Sequence, residues 1–261
     1  MNLVIGNTSQ QSYYYPEEYI RLSSRNIDLE YISSKKFGSA YITFAEQRIY
    51  EENIDYIGPN FKYTLEIIER LLDKTDKIVI FTSCELWSNR SGIITNQTEP
   101  DFNLSNQYTL SKLLLFNEIK RLRKHDSRYN KVVVVHPFYF NSVHRSNYFL
   151  FGKIFDSIKN HKPIEVGNLN FYRDMVHTKF LVKKCIEIDR DTVLGSGKLF
   201  NVRDFVIDLY DSFGMRYYEY VKENLNLIPN DKLIRADVNW DYSYQDLLED
   251  TIGDLKNNDD D

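Results

Sequence analysis

The run Ile78-Val79-Ile80-Phe81-Thr82-Ser83-Cys84-Glu85, followed by Tyr108-Thr109-Leu110-Ser111-Lys112, decides how the rest of this 261-residue chain is read. The apolar, largely β-branched residues before Thr82 predict a buried strand, and the small polar residues after Phe81 predict its exit into a turn. From Tyr108 onward, Leu110, Leu113, Leu114, Phe116, Ile119 and Leu122 recur at helical spacing. Tyr108 and Lys112 are four apart and therefore share one helix face. An ammonium beside a phenol favours phenolate, so this tyrosine can exchange a proton near neutral pH. A hydroxyl at the strand's end would complete a proton-transfer trio.

Spacing alone does not single out this pair. The chain holds 20 tyrosines, and Tyr-x-x-x-Lys recurs at Tyr31/Lys35 and Tyr218/Lys222. Context separates Tyr108/Lys112 from the others: a buried strand precedes it, and another apolar strand, Lys131 to His136, follows its helix. Working outward, Asn2-Leu3-Val4-Ile5-Gly6 predicts a first strand running into a tight turn. Pro16 falls where the first helix would run, so that helix is short or displaced. The segments Asn26 to Ser34 and Ser39 to Ala45 read as the next strands. A helix over Pro59 to Leu72 carries an apolar stripe of Phe61, Leu65, Ile68, Leu71 and Leu72. Strands alternating with helices point to an α/β protein.

The bulk numbers narrow the function. A net charge of -5 argues against a nucleic-acid partner. The basic run Lys120-Arg121-Leu122-Arg123-Lys124 closes a helix, where cations offset the dipole. Cys84 and Cys185 lack metal-ligand spacing, which predicts no metal site, no disulfide framework and a reducing cytoplasmic setting. No apolar run is long enough to span a bilayer, so no membrane partner is expected. The acidic end, residues 254–261, reads as a disordered tail.

In sum these stretches resemble the extended short-chain dehydrogenase/reductase family, the NAD-dependent sugar-nucleotide epimerases and dehydratases, and within it the GDP-mannose dehydratases. The resemblance implies a Rossmann-like doubly wound parallel sheet over residues 1–160. A small C-terminal substrate lobe, residues 161–253, would be interleaved with the end of that sheet. The stretch Thr82-Ser83-Cys84-Glu85-Leu86-Trp87 resembles the dehydratase pattern S-T-S-E-L-Y. By that likeness Ser83 steadies the substrate oxygen, Glu85 is the base for water elimination, and Tyr108 with Lys112 is the redox base.

The turn Gly6-Asn7-Thr8-Ser9-Gln10-Gln11-Ser12 resembles G-x-x-G-x-x-G with serines at the second and third glycines. With Ala45 and His136, it assigns NAD or NADP contacts to Gly6, Thr8, Ser9 and Gln10. Only about thirty residues separate this turn from the strand at Ser39, so the adenosine side is cut down. Asn141 in the Phe140-Asn141 turn, Lys153, and the string Gly167-Asn168-Leu169 with Arg173-Asp174-Met175-Val176-His177 resemble substrate-binding positions. They assign substrate contacts to Asn141, Lys153, Asn168 and Arg173, with Asp174 orienting Arg173 or His177.

Three functions stay open at this level. The first is a 4,6-dehydratase-like enzyme on a nucleotide sugar. The second is an epimerase or reductase of a keto-sugar nucleotide, with Cys84 and His144 as acid/base candidates. The third is a non-catalytic relative that has lost the cofactor. Relatives commonly associate through the Tyr-x-x-x-Lys helix, which implies a homodimer or higher homo-oligomer.

Overall fold

A computed structural model describes residues 1–48, 51, 53–102, 106–227 and 233–257. In chain order the first elements are β1 (Leu3–Ile5), β2 (Ile20–Leu22), α1 (Leu29–Ser34), β3 (Phe37–Ile42), α2 (Thr64–Leu71) and β4 (Thr75–Phe81). Next come β5 (Gly92–Ile94), α3 (Gln107–Arg123), β6 (Val132–Pro137), β7 (Tyr139–Asn141), α4 (Leu150–Asn160) and β8 (Ile164–Gly167). Then follow β9 (Tyr172–Arg173), β10 (Met175–His177), α5 (Thr178–Glu187), β11 (Thr192–Leu194) and β12 (Phe200–Asn201). The chain closes with α6 (Val202–Asp211), α7 (Tyr217–Tyr220), β13 (Val221–Asn224), β14 (Ile234–Ala236) and α8 (Tyr244–Asn257).

These elements form two compact units. The first comprises Met1–Ser88, Asn96–Pro137 and Val182–Val193; the second comprises Asn89–Thr95, Phe138–Leu181 and Leu194–Asp261. The first unit therefore leaves off at Pro137, short of residue 160, and takes back a later segment.

The first unit is built on a six-stranded sheet in the order β11-β6-β4-β3-β1-β2. Its inner pairings are parallel, with Ile5 beside Ile42, Ile42 beside Ile80, and Ile80 beside Val134. This is the expected Rossmann-like α/β sheet. On one face Ile5, Ile42, Ile80 and Val134 pack with Ile67 of α2 and Ile119 of α3. The alternate residues Val4, Tyr41, Val79 and Val133 are buried too, which is why these strands read as continuous apolar runs. The face bearing Tyr41 is covered partly by side chains: the Tyr15 ring lies 4.6 Å and the Tyr19 ring 6.0 Å from the Tyr41 ring.

Two sequence expectations are corrected, for the second strand and the tail, and the expected shortening of the first helix is met. The second strand is Ile20–Leu22, while Asn26 to Ser34 holds α1, started by Asp28, whose side chain accepts the Tyr31 N–H. An N-cap acceptor ahead of a short polar segment outweighs weak alternation. The first helix is reduced to one 3-10 turn, Ser12–Tyr14, ahead of Pro16. At the other end α8 runs to Asn257, so Asp254 is helical rather than part of a disordered tail; residues 258–261 lie outside the described residues.

The second unit has four short strand pairs: β10 with β7, β12 with β9, β13 with β8, and β14 with β5. Buried Asp174 organises it. Its carboxylate accepts the N–H groups of Ser196 (2.6 Å), Gly197 (3.1 Å) and Ala236 (2.8 Å), and the Ser196 hydroxyl at 2.7 Å. Burial nonetheless pushes its pKa above the ordinary carboxylate value. The role foreseen for Asp174, orienting Arg173 or His177, gives way to this fastening of distant chain. No helix among the described residues is long and apolar enough to cross a membrane.

Candidate active site

At the end of β4 the chain turns sharply, and Ser83 caps the 3-10 turn Cys84–Trp87 by accepting the Glu85 N–H at 3.2 Å. The Ser83 hydroxyl thus keeps its own proton for donation. Ser83 is buried and Glu85 half-buried. Lys112, only 3% exposed, reaches from the second turn of α3 and donates to the Phe81 carbonyl at 3.0 Å. Loss of hydration pulls its pKa down to about 7. Tyr108 is half-buried one helical turn earlier, with its ring edge-on to Tyr56 at 6.4 Å. Lys112 is thereby brought to the strand end that carries Ser83 and Glu85.

The start of α3 is fixed from two sides. Asn106 caps it by accepting the Thr109 N–H at 2.8 Å. The Ser111 hydroxyl donates to the Tyr108 carbonyl at 2.6 Å and accepts from the wholly buried Asn60 at 3.1 Å. Asn60 also donates to the Glu46 carbonyl (2.9 Å) and accepts its N–H (2.8 Å). One amide therefore ties the loop that contains Ala45 to the turn that contains Tyr108.

The other Tyr-x-x-x-Lys pairs are different in kind. Lys35 lies past the end of α1, 5.9 Å from the Tyr31 ring centroid. Tyr218 is 86% exposed on the four-residue α7, and Lys222 sits on β13 bonded to Glu165 at 2.5 Å.

Sheet order reverses between β1 and β3, and Gly6 and Thr43 follow the carboxyl ends of those strands, where doubly wound sheets bind ligands. Gly6 has φ +114°, and a Cβ there would lie 2.8 Å from the Phe44 nitrogen, so only glycine fits. Ser9 closes the turn against β3 by donating to Thr43 Oγ1 at 2.7 Å. Thr8 is exposed, Gln10 buried and Ala45 half-buried.

His136 lies inside the sheet, 3% exposed, its Nδ1 2.5 Å from Thr82 Oγ1. Its ring meets Trp87 and Phe116 edge-on at 5.1 and 4.9 Å. Burial pulls its pKa down to about 4, so the imidazole is neutral at pH 7.

In the second unit Asn141 ends β7, half-buried, in register with His177. Lys153 is exposed on α4. Asn168 accepts from Arg203 at 3.1 Å, and Arg203 is paired twice with Glu223. The Arg173 guanidinium is buried, 4.5 Å from the Phe171 ring and 5.0 Å from the Tyr139 ring, and donates to the Tyr172 carbonyl at 2.8 Å. His144 is half-buried, and burial lowers its pKa. His177 Nε2 lies 3.2 Å from Asp254. Both cysteines are buried, and they form no disulfide. Among the described residues no cluster of side chains is arranged to hold a metal.

No family model matches the sequence, and no curated protein matches it. Solved structures do. A UDP-N-acetylglucosamine 4-epimerase from Methanobrevibacter ruminantium M1, complexed with UDP-N-acetylmuramic acid, superposes with a TM-score of 0.79 at 14% identity, covering 98% of this chain and 96% of that one. A dTDP-glucose 4,6-dehydratase from Streptomyces venezuelae, with NAD bound, gives 0.78 at 14% identity over 99% and 97%. A UDP-glucuronic acid 4-epimerase from Bacillus cereus, complexed with NAD, gives 0.77 at 13% identity over 98% and 96%. The fold is that of nucleotide-sugar 4-epimerases and 4,6-dehydratases.

Within this epimerase/dehydratase fold the structure adds positions that sequence reading did not assign. Asn60 was visible only as the start of a helix, and nothing local signals a bond to Ser111. Thr82 carries no local signal that separates it from its neighbour Ser83. Arg21 of β2 gave no signal at all. Its guanidinium gathers the carbonyls of Ser12 (3.0 Å), Tyr15 (2.6 Å), Pro16 (3.2 Å), Glu17 (3.3 Å) and Tyr19 (3.2 Å). Those are the carbonyls of the segment where a first helix would otherwise satisfy its own backbone.

Proposed function

We propose that the chain is a nucleotide-sugar-modifying enzyme of the pyridine-nucleotide-dependent type, 4,6-dehydratase-like, with a 4-epimerase or keto-sugar reductase as the neighbouring chemistry. The observation that carries this reading is the buried Lys112 ammonium on the Phe81 carbonyl, at the strand end bearing Ser83 and Glu85 and one turn from Tyr108.

Part of the chain suits a pyridine nucleotide. Gly6 makes the tight turn after β1 and packs it directly on Thr43 and Phe44, where a Cβ would not fit. The loop through Ala45 is pinned by Asn60, and Lys112 is a buried donor suited to ribose hydroxyls. The turn after Gly6 does not lead into a helix N-terminus, so the pyrophosphate side fits less well. When bound, the nicotinamide ring supplies reversible hydride storage.

The chain's own residues handle the protons. Tyr108 takes the proton of the sugar hydroxyl as that carbon is oxidised, with Lys112 favouring the phenolate. The Ser83 hydroxyl donates to the same sugar oxygen. Glu85 removes the proton from the carbon beside the new carbonyl; of the two protons held by Tyr108 and Glu85, one would leave with the hydroxyl of the next carbon as water, and the other would return with the stored hydride to the double bond so formed. In this reading Thr8, Ser9, Gln10 and His136 serve the cofactor, His136 from behind through Thr82. Asn141, Lys153, Asn168 and Arg173 serve the nucleotide sugar. A homodimer through α3 is supported by Leu110 and Leu114, which are 42% and 37% exposed.

The test is direct. The purified chain is incubated with NAD or NADP and a panel of UDP-, dTDP- and GDP-hexoses, and the products are weighed and separated. A product lighter by one water marks a dehydratase; a chromatographically distinct isomer of equal mass marks an epimerase. Both should vanish in Tyr108→Phe. No conversion of any sugar by the unmodified chain would overturn the proposal in favour of a non-catalytic relative.

A further inference from the structure

We infer that this chain grips only the nicotinamide-ribose half of a pyridine dinucleotide, so that a nicotinamide mononucleotide binds about as tightly as the dinucleotide. This rests on the cofactor reading above and divides it in two.

Three observations remove the adenosine half. First, the sheet ends at β2, giving the order 2-1-3-4-5-6 when its six strands are counted in sequence. Dinucleotide-binding sheets of order 3-2-1-4-5-6 carry a further strand beyond the second. Among the described residues nothing pairs with the outer edge of β2, so the platform on that side is one strand short.

Second, the element between β1 and β2 is a three-residue turn rather than a helix. Aligned peptide dipoles and unbonded N–H groups at a helix start are what hold a pyrophosphate. Here the turn is filled by its own side chains. Gln10, Gln11 and Ser12 are 6%, 4% and 1% exposed, and the Ser12 hydroxyl bonds inward to the Asn7 and Ser9 carbonyls at 2.7 and 2.9 Å.

Third, Arg21, the cation that bonds to that turn through the Ser12 carbonyl, is already committed. A guanidinium has five N–H donors. Those of Arg21 engage the five carbonyls of Ser12, Tyr15, Pro16, Glu17 and Tyr19. Turning it toward a phosphate would strip the turn of its anchor.

The nicotinamide half keeps its parts: the Asn60 tie and Lys112 at the mouth of β4. Recognition energy is therefore concentrated at one end of the cofactor.

Titration of the full-length chain with NADH, NADPH, reduced nicotinamide mononucleotide and ADP-ribose, read by nicotinamide fluorescence and calorimetry, tests this without turnover. The expected result is NADH and the mononucleotide within about tenfold of each other, and ADP-ribose failing to compete. A dinucleotide preference well beyond tenfold, or ADP-ribose competing as well as NADH, would overturn the inference while leaving the enzyme reading intact. Failure of both reduced nicotinamides to bind would overturn both.

Discussion

The Lys112 ammonium donates to the Phe81 carbonyl across 3.0 Å in a site that leaves the side chain 3% exposed. One good acceptor does not replace the hydration of a full charge, so the pKa falls from 10.5 to about 7. Between pH 7 and 10.5 the unfolded chain holds a proton here that the folded chain does not. Lys112 therefore weighs against folding most heavily at and below pH 7, and the burden fades as pH rises toward 10.5. Lys112→Met should raise stability at pH 6–7 by a few kcal/mol, at about 1.4 kcal/mol per pK unit, while abolishing turnover. Denaturant unfolding at pH 6.5 and pH 9.5 checks it: the gain must shrink at the higher pH.

His136 acts at the acid end. Held neutral between Trp87 and Phe116, it has its pKa lowered from 6.5 to about 4. Below pH 6.5 the unfolded chain gains a proton that the folded chain refuses, so stability is lost as pH falls from 6.5 toward 4 and the loss levels off below that. His136→Gln should flatten this part of the profile. Melting curves at half-unit pH steps read it directly; an unchanged acid slope in the variant would assign the loss to other groups.

Asn60 couples two loops through one side chain. Asn60→Leu keeps the volume but leaves the Glu46 N–H and carbonyl and the Ser111 hydroxyl short of partners. The expected cost is about 2–3 kcal/mol. Because the same bond network ends on the Tyr108 carbonyl, turnover should fall more steeply than nicotinamide affinity. Equal losses in both would indicate general loosening instead.

How much of this could be read beforehand depends on the range of the interactions. The β4 strand and the Tyr108/Lys112 face were legible because they are written in local periods: a β-branched run and a four-residue step. Pro16 likewise announced the lost helix. What replaced that helix was not legible. Arg21 reaches back to carbonyls up to nine residues away, and the Tyr15 and Tyr19 rings lie on Tyr41, so the sheet face is covered by side chains with no repeat. The same holds for Asp174, whose partners are 22 to 62 residues distant. Asn26 to Ser34 misled because its alternation is weak and polar, and the cap at Asp28 decided the matter.

Asp174 should be the least replaceable residue of the second unit. Asp174→Ala strands three buried backbone N–H groups in one step, while the Ser196 hydroxyl keeps the Lys198 carbonyl at 3.0 Å. A loss of about 3–5 kcal/mol is expected. Hydrogen exchange should show protection lost at Ser196, Gly197 and Ala236 while β4 and β6 stay protected. Loss spread evenly over the chain would refute a local role.

Tyr15 gives the most discriminating substitution in the covering that stands in for the first helix. Its ring is 2% exposed and packs 4.6 Å from Tyr41, but its hydroxyl finds no hydrogen-bond partner among the described residues. Burial also pushes the phenol pKa well up, as a group with nothing to stabilise its anion requires. An unsatisfied buried hydroxyl costs about 1–3 kcal/mol, whereas the ring contributes through packing. Tyr15→Phe should therefore raise stability by about 1 kcal/mol, and Tyr15→Ala should lower it by about 3–5 kcal/mol. Opposite signs from two truncations of one side chain would establish that the ring, not the hydroxyl, does the work of covering the sheet. A Tyr15→Phe variant less stable than the parent would mean the hydroxyl is engaged, and the account of how the Tyr41 face of the sheet is covered would have to change.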